Sequence, residues 1–179
     1  MKDASNLWVK ESEEVYYCHD PMHFVDSDTV KRLKEIAEKT PRGRARLCLH
    51  SDSNSDLHQM LIVHPADAYV RPHKHVSRDE TFQICEGSAT LYIFDEDGAW
   101  HEQSMGPAGS AKPFLTLVPR DTFHSIRIDS PTLVFLEATT GPFDASDTIM
   151  APWSPATSDH ERVKEFLSAL KEGKSYASR

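Results

Sequence analysis

The sequence predicts a mainly β domain, a small barrel or sandwich with one helix before it and one after. Three observations carry that prediction. From Arg42 to Ala138 the apolar residues fall in short runs with strand-like alternation, each cut by a Gly, Pro or Asp turn. The 3.6-residue helical period is confined to 28–39 and 159–172. No repeat of fixed period is visible, which excludes a solenoid or propeller. A chain of 179 residues suits one domain with a sizeable core. The expected divisions are an N-terminal extension over 1–41, a β-barrel over 42–138, and an extended segment with a helix over 139–179.

Residues 1–25 are polar and irregular, with scattered aromatics at Trp8, Tyr16, Tyr17 and Phe24. Over 28–39, Val30, Leu33, Ile36 and Ala37 share one helical face; Ser27 or Asp28 caps the start and Pro41 stops the helix. Residues 44–50 alternate, so that Arg44, Arg46 and His50 share a strand face. Ser51 to Asp56 is a loop, Leu57 to Val63 a strand and 65–68 a turn. Tyr69 and Arg71 then have the parity of His73 and His75, which predicts one common surface for the four. Further strands are expected at 80–84, 89–94 and its hairpin partner, 114–118, 123–128 and 133–138. In the strand at 123–128, His124, Ile126 and Ile128 face the interior. Residues 139–157, with several prolines and Trp153, read as a segment laid along the barrel. Val163, Phe166, Leu167 and Leu170 form the stripe of the last helix, which Ser158 and Glu161 cap and Gly173 stops.

The formal net charge is −8, which argues against a general nucleic-acid surface. The three cysteines, Cys18, Cys48 and Cys85, form no CxxC pair. They are expected to be reduced thiols of a cytoplasmic protein. The N-terminus lacks the apolar core of a signal peptide, and no apolar run is long enough to span a bilayer. Neither nucleic acid nor membrane insertion is therefore expected.

The chemistry concentrates in 72–87. His73 and His75, two apart on a strand, present both imidazoles to one side, with Lys74 on the other. Glu80 opens the next strand ahead of Phe82 and Ile84, a costly place for a carboxylate unless it is paired or bound to metal. His124 follows Pro119 by five residues. Imidazole nitrogens with a carboxylate oxygen suit a divalent transition ion, and these four residues are expected to converge on one: Fe, Ni, Mn, Co or Zn. The plainer alternative is a pair of exposed strand histidines and a buried, hydrogen-bonded His124. Arg44, Arg46 and His50 read either as a solvated face or as an anion clamp. Glu137 shares parity with Leu133 and Phe135; together with Tyr69 it is a candidate for moving a proton. His19, His23, His58, His64, His101 and His160 show no ligand spacing.

His73-Lys74-His75, Glu80 and Gly87 resemble the first cupin motif, and Pro119 with His124 resembles the second. The resemblance implies a cupin double-stranded β-helix with His73, His75, Glu80 and His124 as metal ligands. Asp67, Asp121 and Ile128 stand where that pattern has glycine, glycine and asparagine; no ligand position is affected. A narrower set is similar to the WbuC family of cupin metalloproteins: Arg44-x-Arg46 with His50, His58-Gln59-Met60, the stretch from Tyr69 to His75, Glu137 with Gly141-Pro142-Phe143, and Ala151-Pro152-Trp153-Ser154-Pro155. That resemblance implies a place in surface-polysaccharide (lipopolysaccharide) biosynthesis; the helix at 28–39 and the aromatic N-terminal stretch are expected to support a homodimer, as many cupins form. The resulting expectation is a metal-dependent enzyme acting on a small polar or anionic, sugar-derived molecule. The alternatives are an iron(II)-dependent dioxygenase and a non-catalytic sugar- or metal-binding module.

Overall fold

The computed structural model describes residues 8–19, 22–174 and 176. Its strands form two sheets. The larger runs in the order β1 (Trp8–Lys10), β2 (Val15–Cys18), β3 (Ala45–Cys48), β4 (Leu57–Pro65), β11 (Thr132–Thr140), β6 (Glu80–Glu86), β9 (Leu115–Val118). The smaller runs β12 (Thr148–Met150), β5 (His73–His75), β10 (Phe123–Ile128), β7 (Ala89–Phe94), β8 (Trp100–Met105). All pairings are antiparallel except β2 with β3.

Three apolar layers follow from strand alternation. Inward residues of both sheets, including Met60, Ile62, Phe82, Ile84, Leu91, Ile126 and Phe135, make the core between the sheets. The outward residues Ala45, Leu47, Leu61, Val63 and Val134 meet α1 (Ser27–Ala37) through Leu33 and Ala37. On the far side, Tyr92, Phe94 and Phe123 of the small sheet meet α2 (His160–Lys171) through Val163, Phe166 and Leu170. Each helix is amphipathic because it has one sheet face to cover.

Several local expectations are corrected. The cap of α1 is Asp26, whose carboxylate accepts from the Thr29 backbone N–H, not Ser27 or Asp28. The cap of α2 is Asp159, accepting from Arg162 N, not Ser158. A carboxylate one residue before the first helical turn out-competes the neighbouring hydroxyl as an acceptor. The N-terminal stretch is not wholly irregular, since β1 and β2 form a hairpin that extends the large sheet. Within 139–157, Thr148–Met150 is a strand paired with β5. The apolar stripe of α1, with Trp8 and Tyr16, packs on the chain's own sheet; Phe24 stays exposed.

Gly87 closes β6 at φ +84°, where a Cβ would lie 2.4 Å from the Thr132 carbonyl oxygen. Asp121 occupies the same left-handed region at φ +59°, which a short polar side chain tolerates. Cys18, Cys48 and Cys85 are free thiols. Among the described residues no helix is long and apolar enough to cross a membrane.

Candidate metal centre

β5 is the inner strand that carries the site. His73 pairs with His124 of β10 on one side, and His75 pairs with Thr148 of β12 on the other. Strand alternation turns both imidazoles inward and Lys74 outward, where its ammonium meets Glu96 and Asp121, each at 2.8 Å. Glu80 comes from the opposite sheet, at the first residue of β6, and is 4% exposed; His124 is 2% exposed.

The donor atoms of His73, His75, Glu80 and His124 all lie within 4.8 Å of one another. That span is short enough for the four side chains to hold one ion between them. Tautomers support the same reading. His73 Nδ1 faces the Arg71 carbonyl at 2.8 Å, and His124 Nδ1 faces the Thr122 carbonyl at 2.9 Å. A carbonyl only accepts, so each Nδ1 carries the proton and each Nε2 is left for the centre. His124 Nε2 then sits 2.8 Å from Glu80 Oε2, and His75 Nε2 is 3.6 Å from the same oxygen. Nitrogen and carboxylate oxygen at these distances need a positive charge between them, a shared proton or a metal ion. Burial, with a contribution from His124, pushes His73 down to about 4, which keeps it a neutral ligand. Burial raises Glu80, but hydrogen bonds from His124 and His75 outweigh that and hold it below the usual carboxylate range. The donor set fits a divalent metal ion.

A cavity of about 200 Å³ adjoins the cluster. His75, Glu137, Arg46, Arg78, His50 and His58 are among the residues that line it. Burial, then the charge of Glu80, pushes the Glu137 carboxyl well above its ordinary value, and it shares a hydrogen bond with Glu80. Burial lowers His50, whose Nδ1 lies 3.1 Å from the Gln59 carbonyl oxygen.

Two expected site residues lie elsewhere. Tyr69 does not share a surface with His73 and His75: its hydroxyl donates to the Pro155 carbonyl at 3.0 Å, and its ring packs against Phe166 of α2. Parity holds only along a continuous strand, and β5 begins at His73, so the phase of Tyr69 and Arg71 is lost across Pro72. Arg44 stands just before β3, on the side away from His50. It donates to the Tyr69 carbonyl at 3.1 Å and lines a different cavity. Only Arg46 and His50 of the expected clamp reach the cavity beside the cluster.

The structure also brings in residues that spacing did not mark. His58 is 4% exposed, stacked on His50 at 4.0 Å between ring centroids. Its place on β4 two residues before Met60 was the available signal. Arg78 and Asp147 form a buried ion pair at 2.7 Å beside His75. Asp147 lies 69 residues downstream of Arg78, and no sequence pattern linked the two.

A family model described as "Domain of unknown function (DUF6016)" matches residues 25–105. Over 87% of this chain and 99% of its own, protein SO0799 from Shewanella oneidensis superposes with a TM-score of 0.55 at 13% identity. The fold is that of a cupin. This cupin barrel also resembles the capsular polysaccharide assembling protein CapF from Staphylococcus aureus, with a TM-score of 0.51 at 15% identity, over 62% of this chain and 30% of that one. The oxalate decarboxylase of Lactobacillus farciminis, in its formate complex, gives 0.44 at 15% identity, over 54% of this chain and 27% of that one. The chain thus spans less than a third of the length of the CapF and decarboxylase chains. No curated protein matches the sequence. The barrel carries the His73, His75, Glu80 and His124 cluster, suited to a metal ion, at the end where the first cavity opens.

Proposed function

We propose that this cupin is a metal-dependent enzyme acting on a small anionic molecule bound between the histidine cluster and Arg46. The observation that carries the reading is the cavity itself. One ligand residue, His75, forms part of its wall, with Arg46, His50, His58 and Glu137 around it. A volume of about 200 Å³ corresponds to roughly seven waters at ~30 Å³ each, a metabolite's size and far below a polymer's.

The roles divide by chemistry. His73, His75, Glu80 and His124 would hold the ion, which supplies Lewis acidity to an oxygen of the bound molecule. Arg46 binds the anion; its Nε is buried without a partner, and its Nη1 has only the weak acceptor Met60 Sδ at 3.7 Å. Arg78 is held by Asp147 and shapes the wall. Glu137, inside the cavity and joined to Glu80, is the residue placed to exchange a proton with the bound molecule. The resemblance to the WbuC family favours a sugar-derived anion from surface-polysaccharide synthesis, and the expected homodimer is decided by light scattering.

Elemental analysis of protein purified without added metal tests the first half. Calorimetric titration with a panel of sugar acids and sugar phosphates tests the second. Arg46→Met is expected to weaken the best ligand at least tenfold and leave metal content unchanged. Equal affinity in that variant removes Arg46 and the anion from the reading. Oxygen uptake by iron-restored protein with its ligand would move the reaction to the dioxygenases.

A further inference from the structure

A second cavity, also about 200 Å³, opens at the other end of β3 and β4, lined by Glu14, Arg42, Arg44, Arg46, Ile62 and His64 among others. Registry explains its composition. Arg46 pairs with Ile62 and Cys48 with Met60, so the inward row of β3 carries guanidinium at one end and His50 at the other. Arg42 is satisfied: Nε donates to Glu14 Oε1 at 2.7 Å, and Nη2 donates to Glu14 Oε2. The remaining groups are not. Among the described residues four buried side-chain nitrogens lack a hydrogen-bond partner, and three belong to residues that line this cavity: Arg44 Nε, Arg46 Nε and His64 Nδ1.

Buried N–H groups without acceptors are costly, and those on cations more so. Three guanidiniums against the single Glu14 carboxylate leave the lining at a net charge of +2. A monocarboxylate would balance half of that. A dianion with several oxygens balances all of it and supplies acceptors to the guanidiniums that line the cavity.

We infer that this second cavity is a binding site for a phosphate group, free or as the end of a small monoester, separate from the metal centre. Arg44 and His64 line only this cavity, whereas Arg46 lines both. Arg44 is therefore the residue that distinguishes them.

The test is calorimetric titration of the full chain with inorganic phosphate, at ionic strength held constant with chloride. One phosphate is expected to bind per chain. Arg44→Gln is expected to weaken it at least tenfold. His75→Ala, which alters the metal centre and not this cavity, is expected to leave it unchanged. Absence of binding at millimolar phosphate overturns the inference. So does equal affinity in Arg44→Gln, or loss of binding in His75→Ala, which would place the phosphate at the first cavity. Should Arg44→Gln fail to fold, Arg42→Gln serves, because that side chain is 62% exposed; a severalfold loss supports the site and unchanged affinity counts against it. Titration with glycerol 3-phosphate separates the two sources: tighter binding than phosphate identifies a monoester as the ligand, and weaker binding identifies free phosphate.

Discussion

Arg78 Nε donates a 2.7 Å hydrogen bond to Asp147 Oδ2, and the same carboxylate oxygen stands 3.8 Å from His75 Nδ1. The other carboxylate oxygen accepts from the Ser77 backbone N–H at 2.7 Å and from its hydroxyl at 2.6 Å. One buried carboxylate thus ties the β5–β6 turn to the start of β12, and it holds Arg78, whose Nη2 lies 3.4 Å from the ring nitrogen Nδ1 of His75, as Thr148 Oγ1 does at 3.2 Å. Such outer partners orient the ligands they touch.

Asp147→Ala removes that carboxylate and leaves Arg78 buried and unpaired. Metal affinity is expected to fall by ~10–100-fold, and stability by ~3–5 kcal/mol. Competition with a chelator reads the first and urea unfolding the second. If the variant holds metal as tightly as the natural protein, the turn is merely structural and Asp147 has no part in the site.

His75→Ala tests the cluster directly. Three other donors remain, and the ring lies at the rim of the core, so far-ultraviolet circular dichroism should change little. Bound metal per chain should drop severalfold by elemental analysis. Unchanged metal content would mean that the ion, if any, is held elsewhere.

The cluster of His73, His75, Glu80 and His124 was legible because each residue sits on a regular strand, where side chains alternate in a fixed way. His73, His75 and Glu80 are the ends of β5 and β6, and His124 pairs directly with His73. The same rule failed for Tyr69, which lies before the strand begins, and was incomplete for Arg44, which lines the second cavity with Arg46 but not the first. His58, Arg78 and Asp147 reach the site through pairings between distant segments, β4 with β11 and β5 with β12. Spacing along one chain holds no record of such pairings. The helices were legible as stripes, while their caps were misplaced by one or two residues, since several neighbouring side chains can accept the same N–H.

His64 makes stability sensitive to acid. Burial, with the charges of Arg44, Arg42 and Arg46, pushes it down to about 3, whereas an unfolded histidine titrates near ~6.5. Between those values the unfolded chain binds the extra proton, so stability falls as pH drops through that window, by up to ~1.4 kcal/mol per unit. It is fully present above the unfolded value. His64→Phe should flatten this dependence in urea melts between pH 6.5 and 4. An equally steep loss in the variant would assign the sensitivity to other groups.

Gly141 fixes the wall of the first cavity by having no side chain. A Cβ there would fall 1.9 Å from the Ser55 carbonyl oxygen and 2.7 Å from the His58 ring. Neither neighbour can retreat freely. Gly141 N donates to the Asp56 carbonyl, and Phe143 N to the Ser53 carbonyl, each at 2.8 Å, so the loop before β4 is clamped to this strand end. The His58 ring is in turn stacked on His50. Gly141→Ala must therefore displace backbone, at a cost of ~1–3 kcal/mol for overpacking. Because the collision lies on the cavity wall and not at the ligands, metal content should hold while small-molecule affinity falls. A urea midpoint equal to that of the natural protein would show that the loop yields without cost, and the clamp would then not govern the shape of the cavity.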